Sequence, residues 1–234
     1  MSGGRRPGLI ALAGLLAILL AFTVDQPIAR AMAGIDPLTL RIARFVTWFG
    51  QGGVVLYPAG IVIMLGLAAS LVLPGLAGRF EAPIRRVASI FIIVAAAGLA
   101  DDALKIVFGR ARPYLWLAGD DSGFGFFRYS AKFASFPSGH TTTSFAAALA
   151  FGMVMPRHKL WFLLAALLIA ASRIVLDVHY LSDVIAGALL GTAVAVLLGK
   201  WLERLGWLPC WAAQDSVRTG VVPEGSKKTG GKRN

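Results

Sequence analysis

The sequence predicts an all-α fold, a polytopic membrane protein in which a bundle of six transmembrane helices crosses the bilayer. Composition is the first observation behind this prediction: 57% of the residues are hydrophobic, 15% are charged and the mean hydropathy is +0.71. A soluble domain has about half apolar and about a quarter charged residues. The second observation is that apolar runs close to the length of a membrane span, about 20 residues, recur along the chain.

Five spans follow directly from apolar runs, at residues 8–24, 53–73, 87–108, 160–176 and 184–202. A sixth run, residues 141–155, is shorter and spans the bilayer only if the residues before it continue the helix. Helices are favoured because backbone groups in lipid must be satisfied internally. We expect one transmembrane domain over residues 1–205, followed by a polar, disordered basic tail over residues 206–234.

Between the first two spans, apolar residues recur at intervals of three and four: Ile35, Leu38, Ile42, Phe45 and Phe49. This spacing predicts an amphipathic helix lying at the outer membrane interface. Packing over the bundle is the simpler interpretation of such a helix, and a gate for substrate is the alternative.

The distribution of positive charge predicts the topology. The formal net charge is +11, and with the N-terminus inside, 14 of the 23 Lys and Arg residues fall on inner segments and 9 on outer ones. The positive-inside rule therefore favours cytoplasmic termini. We interpret the basic tail as an anchor to anionic lipid, with the bilayer and not nucleic acid as its partner.

Several features bear on processing and on metals. The only cysteine, Cys210, excludes an intrachain disulfide and a thiolate metal cluster. Asp120 and Asp121 lie between glycines in a long loop and are more typical of a solvated turn than of a metal site. The stretch Ala31-Met32-Ala33 after the first apolar run resembles a signal-peptide cleavage site. An uncleaved first helix fits the charge distribution better, and we expect no metal and no cofactor.

Ionisable groups at membrane helices are costly and are usually functional or paired, and here they form three clusters on the predicted outer side. In the first, Lys105 and Arg112 are seven residues apart, on one face of a continuing helix that Pro113 stops. Two cations on one face attract an anion such as phosphate. Asp101 and Asp102 precede Lys105 by four and three residues, which allows a local ion pair.

The second cluster is Ser138-Gly139-His140, at the start of the short apolar run. Ser138 is well placed as an N-cap, and the free N–H groups that follow it suit an anion. Capping and phosphate binding explain the serine and the glycine equally well. A cap needs no histidine, however, so His140 favours a proton donor beside an anion site.

The third cluster places His179 and Asp183 at i and i+4, so that on a helix the carboxylate reaches the imidazole and fixes its tautomer. A polar break over residues 177–180 separates two helices, which lets Arg173 point at the same place. Taken together, the outer side offers three cations, a helix N-terminus and two histidines. This set supplies charge stabilisation, a nucleophile and an acid, the groups that phosphoryl transfer requires.

These residues resemble the three motifs of the phosphatidic acid phosphatase type 2 superfamily. The motifs are Lys105 with Arg112-Pro113, Pro137-Ser138-Gly139-His140, and Ser172-Arg173 with His179 and Asp183, in order and with full internal spacing. The resemblance implies a metal-independent membrane phosphatase with its site at the outer, periplasmic face of a bacterial inner membrane. It also implies that His179 is the nucleophile that forms a phosphohistidine, that Asp183 holds it, and that His140 protonates the leaving oxygen. The phosphoryl oxygens would bind Lys105, Arg112, Arg173, Ser138 and the Gly139 amide.

The resemblance leaves the substrate open among membrane lipid phosphates: undecaprenyl diphosphate, phosphatidylglycerophosphate, phosphatidate and lipid A. A lipid phosphotransferase of the same fold is the alternative, because pocket shape and not motif chemistry selects the acceptor. A transporter or lipid-binding bundle is a third reading, disfavoured because binding alone needs no His–Asp pair. Membrane spans exclude a soluble vanadium haloperoxidase with similar motifs. The sequence does not determine the oligomeric state.

Overall fold

Helices dominate the computed structural model, which describes residues 5–73, 75, 77–119, 123–128 and 130–208. The α-helices of these residues are α1 (Arg5–Met32), α2 (Pro37–Trp48), α3 (Gly52–Val72), α4 (Ala77–Phe108), α5 (Pro113–Leu117), α6 (Gly139–Val154), α7 (Lys159–Val175) and α8 (Leu181–Arg204). Two short 3-10 helices, Ala131–Phe133 and Pro156–His158, lie in connections. No strand occurs in the described ranges, so the all-α prediction is confirmed. Asp120, Asp121, Cys210 and nearly all of the predicted tail lie outside these ranges.

Among the residues that the structure describes, five segments are long and apolar enough to cross a membrane: Leu12–Met32, Pro37–Val72, Gly78–Phe108, Pro156–Val175 and Leu181–Arg204. The sixth predicted span corresponds to α6, which has 16 residues and is about 24 Å long, against about 30 Å for the hydrocarbon core. Ser138 before it is extended, so the preceding residues do not lengthen the helix. The count of six spans therefore stays a prediction.

The interhelical core is built around α6, which packs against α4, α7 and α8. Small residues such as Ala146, Ala150 and Gly152 give it a narrow surface, and small residues allow close approach of helices in membranes. Outside this centre, α1 packs on α8 and α3 packs on α4. Helix α6 is therefore the central helix of the described bundle.

Helix α2 begins where the sequence predicts an amphipathic helix. Asp36 caps it, accepting hydrogen bonds from the N–H groups of Leu38 (2.9 Å) and Thr39 (3.0 Å). The helix packs against α7, yet its apolar residues face away from the protein, with Leu38 and Phe45 exposed by 66% and 69%. Its location at the membrane interface stays a prediction.

Candidate active site

The three polar clusters of the sequence meet at the N-terminal end of α6. The Ser138 N–H donates to the carbonyl oxygen of Asp183 over 3.0 Å, which joins the second cluster to the third. A Cβ atom added to Gly139 would lie 2.5 Å from Nζ of Lys105, which places the first cluster against the same turn. Glycine is therefore required at residue 139 for the lysine to approach the helix end.

His179 lies between α7 and α8, just before Tyr180, the N-cap of α8. Its Nδ1 is 2.7 Å from the carbonyl oxygen of Ser135. A carbonyl oxygen only accepts, so Nδ1 carries the hydrogen and Nε2 keeps a free lone pair. The imidazole is buried, and the hydrogen bond fixes both its tautomer and its orientation.

Asp183 lies beside the imidazole of His179, as the i,i+4 spacing predicts: Nδ1 is 3.7 Å from Oδ2 of Asp183, within ion-pair distance. This distance is long for a hydrogen bond, and the shorter contact of Nδ1 is the one with the Ser135 carbonyl. His179 precedes the first residue of α8, so the two side chains do not lie on one helix. The role of Asp183 in fixing the tautomer stays a prediction.

Asp183 is fully buried in the first turn of α8 and organises the residues around His179. Its Oδ2 accepts hydrogen bonds from the Tyr180 N–H (2.8 Å) and from the Ser135 hydroxyl (2.6 Å). Both donors belong to residues next to His179: Tyr180 follows it in the chain, and the carbonyl of Ser135 accepts the hydrogen bond from its Nδ1. Asp183 therefore acts on the imidazole chiefly by fixing the backbone that orients it.

A buried ion-pair network continues from Asp183 through Arg110 to Asp25 in α1. Arg110 donates from Nη1 to Asp183 Oδ1 over 2.5 Å and from Nη2 to Asp25 Oδ2 over 2.9 Å. Asp25 also accepts from the N–H of Ser182 (2.9 Å). The guanidinium lies 4.1 Å from the Tyr180 ring centroid. These contacts connect α1 to the start of α8.

The cations predicted from the first cluster have partners that hold them in place. Lys105 forms an ion pair with Asp101 and lies 3.9 Å from Asp102, so the predicted local ion pair is confirmed. Arg112 donates from Nε to the carbonyl of Ala131 (2.8 Å) and from Nη1 to that of Val178 (3.3 Å). Arg112 thereby lies next to the segment that carries His179.

Unused N–H donors remain at the same end of the bundle. Arg173 donates from Nη1 to the Thr47 hydroxyl over 2.5 Å, but its buried Nε has no acceptor in the described residues. The first backbone donor of α6 with a protein acceptor in these ranges is that of Thr142, bonded to the Ser138 carbonyl over 2.9 Å. The side chain of Ser138 accepts from Thr141 (3.0 Å). Because buried unpaired donors are costly, they favour an anionic ligand here.

The pKa of His179 reports how these charges surround it. Burial lowers this pKa from 6.5 to about 4, the Asp183 carboxylate acts in the opposite direction, and the charges of Arg112 and Arg173 lower it further. Both guanidinium groups are therefore within electrostatic reach of the imidazole. His179 is neutral at physiological pH, as a nucleophile must be.

His140 projects from the first turn of α6 and packs against Gly50, where an added Cβ atom would lie 3.2 Å from the His140 Cβ and Cδ2 atoms. Together with Lys105 it lines a cavity of about 510 Å³. Asp101 and Asp102 also line it beside Lys105, and its apolar part includes Leu56 and Val94. The cavity thus joins a polar end, with an acid–base group, to an apolar end.

Within the described residues, no cluster of three or more His, Cys, Asp or Glu side chains could hold a metal ion. Metal-free chemistry and the absence of a cofactor stay predictions. The Asp120–Asp121 pair considered in the sequence lies outside these residues.

Comparison with known proteins identifies the family. The sequence profile of the PAP2 superfamily matches residues 86–207, a span that contains all three clusters. The chain belongs to the PAP2 superfamily. A curated relative from Rhizobium johnstonii, a lipid A 1-phosphatase, is 31% identical over 196 residues, which cover 82% of this chain and 78% of the relative. The protein is thus a PAP2 phosphatase with several membrane-spanning helices.

Two solved structures share the fold of this PAP2 phosphatase. Aquifex aeolicus LpxE gives a TM-score of 0.54 at 22% identity, covering 76% of this chain and 95% of that one. A transmembrane PAP2-type phosphatidylglycerolphosphate phosphatase from Bacillus subtilis gives 0.55 at 20% identity, covering 82% and 96%. At this identity the two structures support the fold alone.

Four further residues belong to the site although none of them is a defining residue of the matched motifs: Asp25, Arg110, Ser135 and Thr47. Ser135 and Thr47 carry no sequence signal, because each is an ordinary polar residue placed only by folding. Asp25 did carry one: it is a carboxylate in a membrane helix, and such residues usually have a buried partner. Arg110 was counted only as a topological charge, whereas it is 4% exposed and paired twice.

Proposed function

We propose that this protein is a lipid A 1-phosphatase that works through a phosphohistidine on His179, at the periplasmic face of a bacterial inner membrane. The observation that carries the proposal is a buried, neutral histidine with Nδ1 bonded to the Ser135 carbonyl and Nε2 free, within reach of two guanidinium groups. Such a group is a phosphorus nucleophile already held in the reactive tautomer. The relative from Rhizobium johnstonii supports lipid A as the substrate.

In the first step, Nε2 of His179 forms a bond to phosphorus while the bond from phosphorus to the lipid oxygen breaks. Burial and the nearby charges of Arg173 and Lys105 lower the pKa of His140 to about 3, and the negative charge of the substrate phosphate opposes those cations and favours the protonated form. His140 then gives its proton to that leaving oxygen. Lys105, Arg112 and Arg173 stabilise the negative charge on the phosphoryl oxygens, together with the free N–H groups of Gly139 and Arg173 Nε. Asp183 stabilises the fixed orientation of His179 through Tyr180 and Ser135.

In the second step, His140, now neutral, takes a proton from water as the water oxygen bonds to phosphorus. The bond between phosphorus and Nε2 breaks, and its electron pair returns to the imidazole. Inorganic phosphate leaves and His140 is again protonated. The same two histidines thus act in both steps. His140 is the acid in the first step and the base in the second.

The cavity lined by His140 and Lys105 supports a lipid substrate. Its polar residues adjoin the proposed phosphoryl site, and Leu56, Val94 and Leu99 belong to its apolar part. A molecule that has a phosphate at one end and hydrocarbon at the other matches this distribution. Soluble phosphate esters would leave the apolar wall without a partner.

The proposal is tested by giving the purified protein lipid A 1,4′-bisphosphate, phosphatidylglycerophosphate, phosphatidate and undecaprenyl diphosphate, all with EDTA present. Inorganic phosphate and both lipid products are measured, with His179→Ala as the control. We expect fastest loss of the lipid A 1-phosphate and none from the variant. Faster turnover of another lipid would overturn the substrate, a phosphorylated lipid acceptor in place of free phosphate would indicate a transferase, and inactivation by EDTA would exclude the metal-free mechanism.

A further inference from the structure

A second cavity, of about 560 Å³, adjoins the proposed phosphoryl site. Asp102, Lys105 and Arg112 belong to its wall, and the loop after α5 adds Arg128 and Ser130. Its volume is within the range of pockets that hold drug-sized ligands, about 300–1,000 Å³. Because it shares two cations with the proposed site, a group bound in it would belong to the same substrate molecule.

Arg128 is an exposed residue of this wall with an aromatic contact. Its guanidinium lies 4.5 Å from the centroid of the Phe133 ring, and its stem passes Gly125, where an added Cβ atom would lie 2.8 Å from Arg128 Cδ. No carboxylate of the described residues lies within ion-pair distance of Arg128. A guanidinium stacked on an aromatic ring keeps its N–H edge free for phosphate or carboxylate oxygens.

The other cations of the cavity are already engaged, and the Asp102 carboxylate on its wall faces Lys105 at 3.9 Å. Lys105 is paired with Asp101 and lies near Asp102, and Arg112 donates to two backbone carbonyls. Both are also assigned to the phosphoryl group that is transferred. Arg128 is therefore an additional cation, beyond those that bind the transferred phosphoryl group. The cavity is also large enough to hold a further part of the lipid headgroup.

We infer that Arg128, with the Ser130 hydroxyl beside it, binds a second anionic group on the same lipid substrate and so determines headgroup specificity. The inference rests on the proposed function, because it assigns the cavity to the headgroup of the lipid that is dephosphorylated. Two sources share this chemistry: a phosphate elsewhere on the headgroup, such as the 4′-phosphate of lipid A, and a phosphate next to the scissile bond, as in a lipid diphosphate.

The test compares two matched lipid pairs with wild type, Arg128→Gln and Arg128→Lys. One pair is lipid A 1,4′-bisphosphate and lipid A 1-monophosphate; the other is diacylglycerol diphosphate and phosphatidate. Lys132→Gln is the control, because it removes an exposed cation from the same loop that does not line the cavity. Arg128 would contact the second anionic group in the ground state and the transition state alike. Its substitution should therefore change KM and leave kcat unchanged.

We expect Arg128→Gln to raise KM about tenfold for the member of a pair with the second anion, and to leave its partner lipid unaffected. Arg128→Lys should restore part of the difference, and Lys132→Gln should match wild type. The pair that responds identifies the source of the anion. An equal effect on both members of each pair, or no effect on any, overturns the inference. Wild type that hydrolyses none of the four lipids overturns the proposed function itself.

Discussion

At the scale of single residues, Arg110 matters most, because its removal would leave two buried carboxylates without their cation. It is buried between Asp25 and Asp183, and removing one partner of a buried ion pair costs about 3–5 kcal/mol. We therefore expect Arg110→Met to lower the apparent Tm in detergent strongly and to reduce turnover. The control is Arg85→Gln, which breaks the exposed i,i+4 pair with Glu81, an interaction worth only about 0.3–0.5 kcal/mol. Equal changes in Tm for the two variants would contradict a structural role for the Asp25–Arg110–Asp183 network.

The protonation of His179 is a second prediction at this scale. Burial lowers its pKa from 6.5 to about 4, so the folded protein keeps the imidazole neutral until the pH falls through about 4. The unfolded chain binds a proton there from about pH 6.5 downwards, and the folded state should lose stability between these values as the pH falls. An NMR titration of labelled histidine, with His179 assigned by its loss in His179→Ala, measures the midpoint. A midpoint near 6.5 would contradict the burial argument.

At the scale of helices, the contact between α6 and α8 positions the site. A Cβ atom at Gly187 would lie 2.6 Å from the carbonyl oxygen of Ser138, so any larger residue must push the helices apart. That movement would break the hydrogen bond from the Ser138 N–H to the Asp183 carbonyl.

We therefore expect Gly187→Ala to cost about 1–3 kcal/mol of stability and to lower kcat. Gly60→Ala in α3 is the matched control, because its added Cβ would make only an ordinary 3.7 Å contact with Phe91, and alanine is the better helix former. Thermal unfolding and kinetics on one lipid substrate measure both effects. A Gly187→Ala protein as stable and active as Gly60→Ala would show that the two helices can separate without affecting the site.

At the scale of the whole molecule, the topology remains the prediction that connects the site to its substrate. The charge distribution favours cytoplasmic termini, which places the α1–α2 connection and the end of α8 on opposite sides. In a Cys210→Ser background, a cysteine at Gly34 should react with a membrane-impermeant maleimide in spheroplasts. A cysteine at Gly206 should react only after permeabilisation. The reverse pattern would put the proposed site on the cytoplasmic face.

The three motif clusters were predictable from the sequence because each is local: its members lie within eleven residues of one another, and their chemistry is explicit. The connections between clusters were not predictable. Asp25 meets Ser182 across 157 residues and Arg110 meets Asp183 across 73, and no periodicity encodes such pairs. The contact of His179 with the Ser135 carbonyl was not predictable for a related reason. The i,i+4 rule holds only inside a helix, and the exact residue at which α8 begins decides whether it applies.

The central claim is that His179 becomes covalently phosphorylated. The direct measurement is a rapid quench in alkali, which preserves phosphohistidine, after mixing the protein with lipid A that carries a labelled 1-phosphate. His140→Ala is included because losing both its acid and its base role should slow the formation and the hydrolysis of the intermediate alike. We predict label on the peptide that contains His179 in the wild type, slower labelling in His140→Ala, and none in His179→Ala. Label on another residue, or turnover by His179→Ala at a rate near that of wild type, would contradict the mechanism.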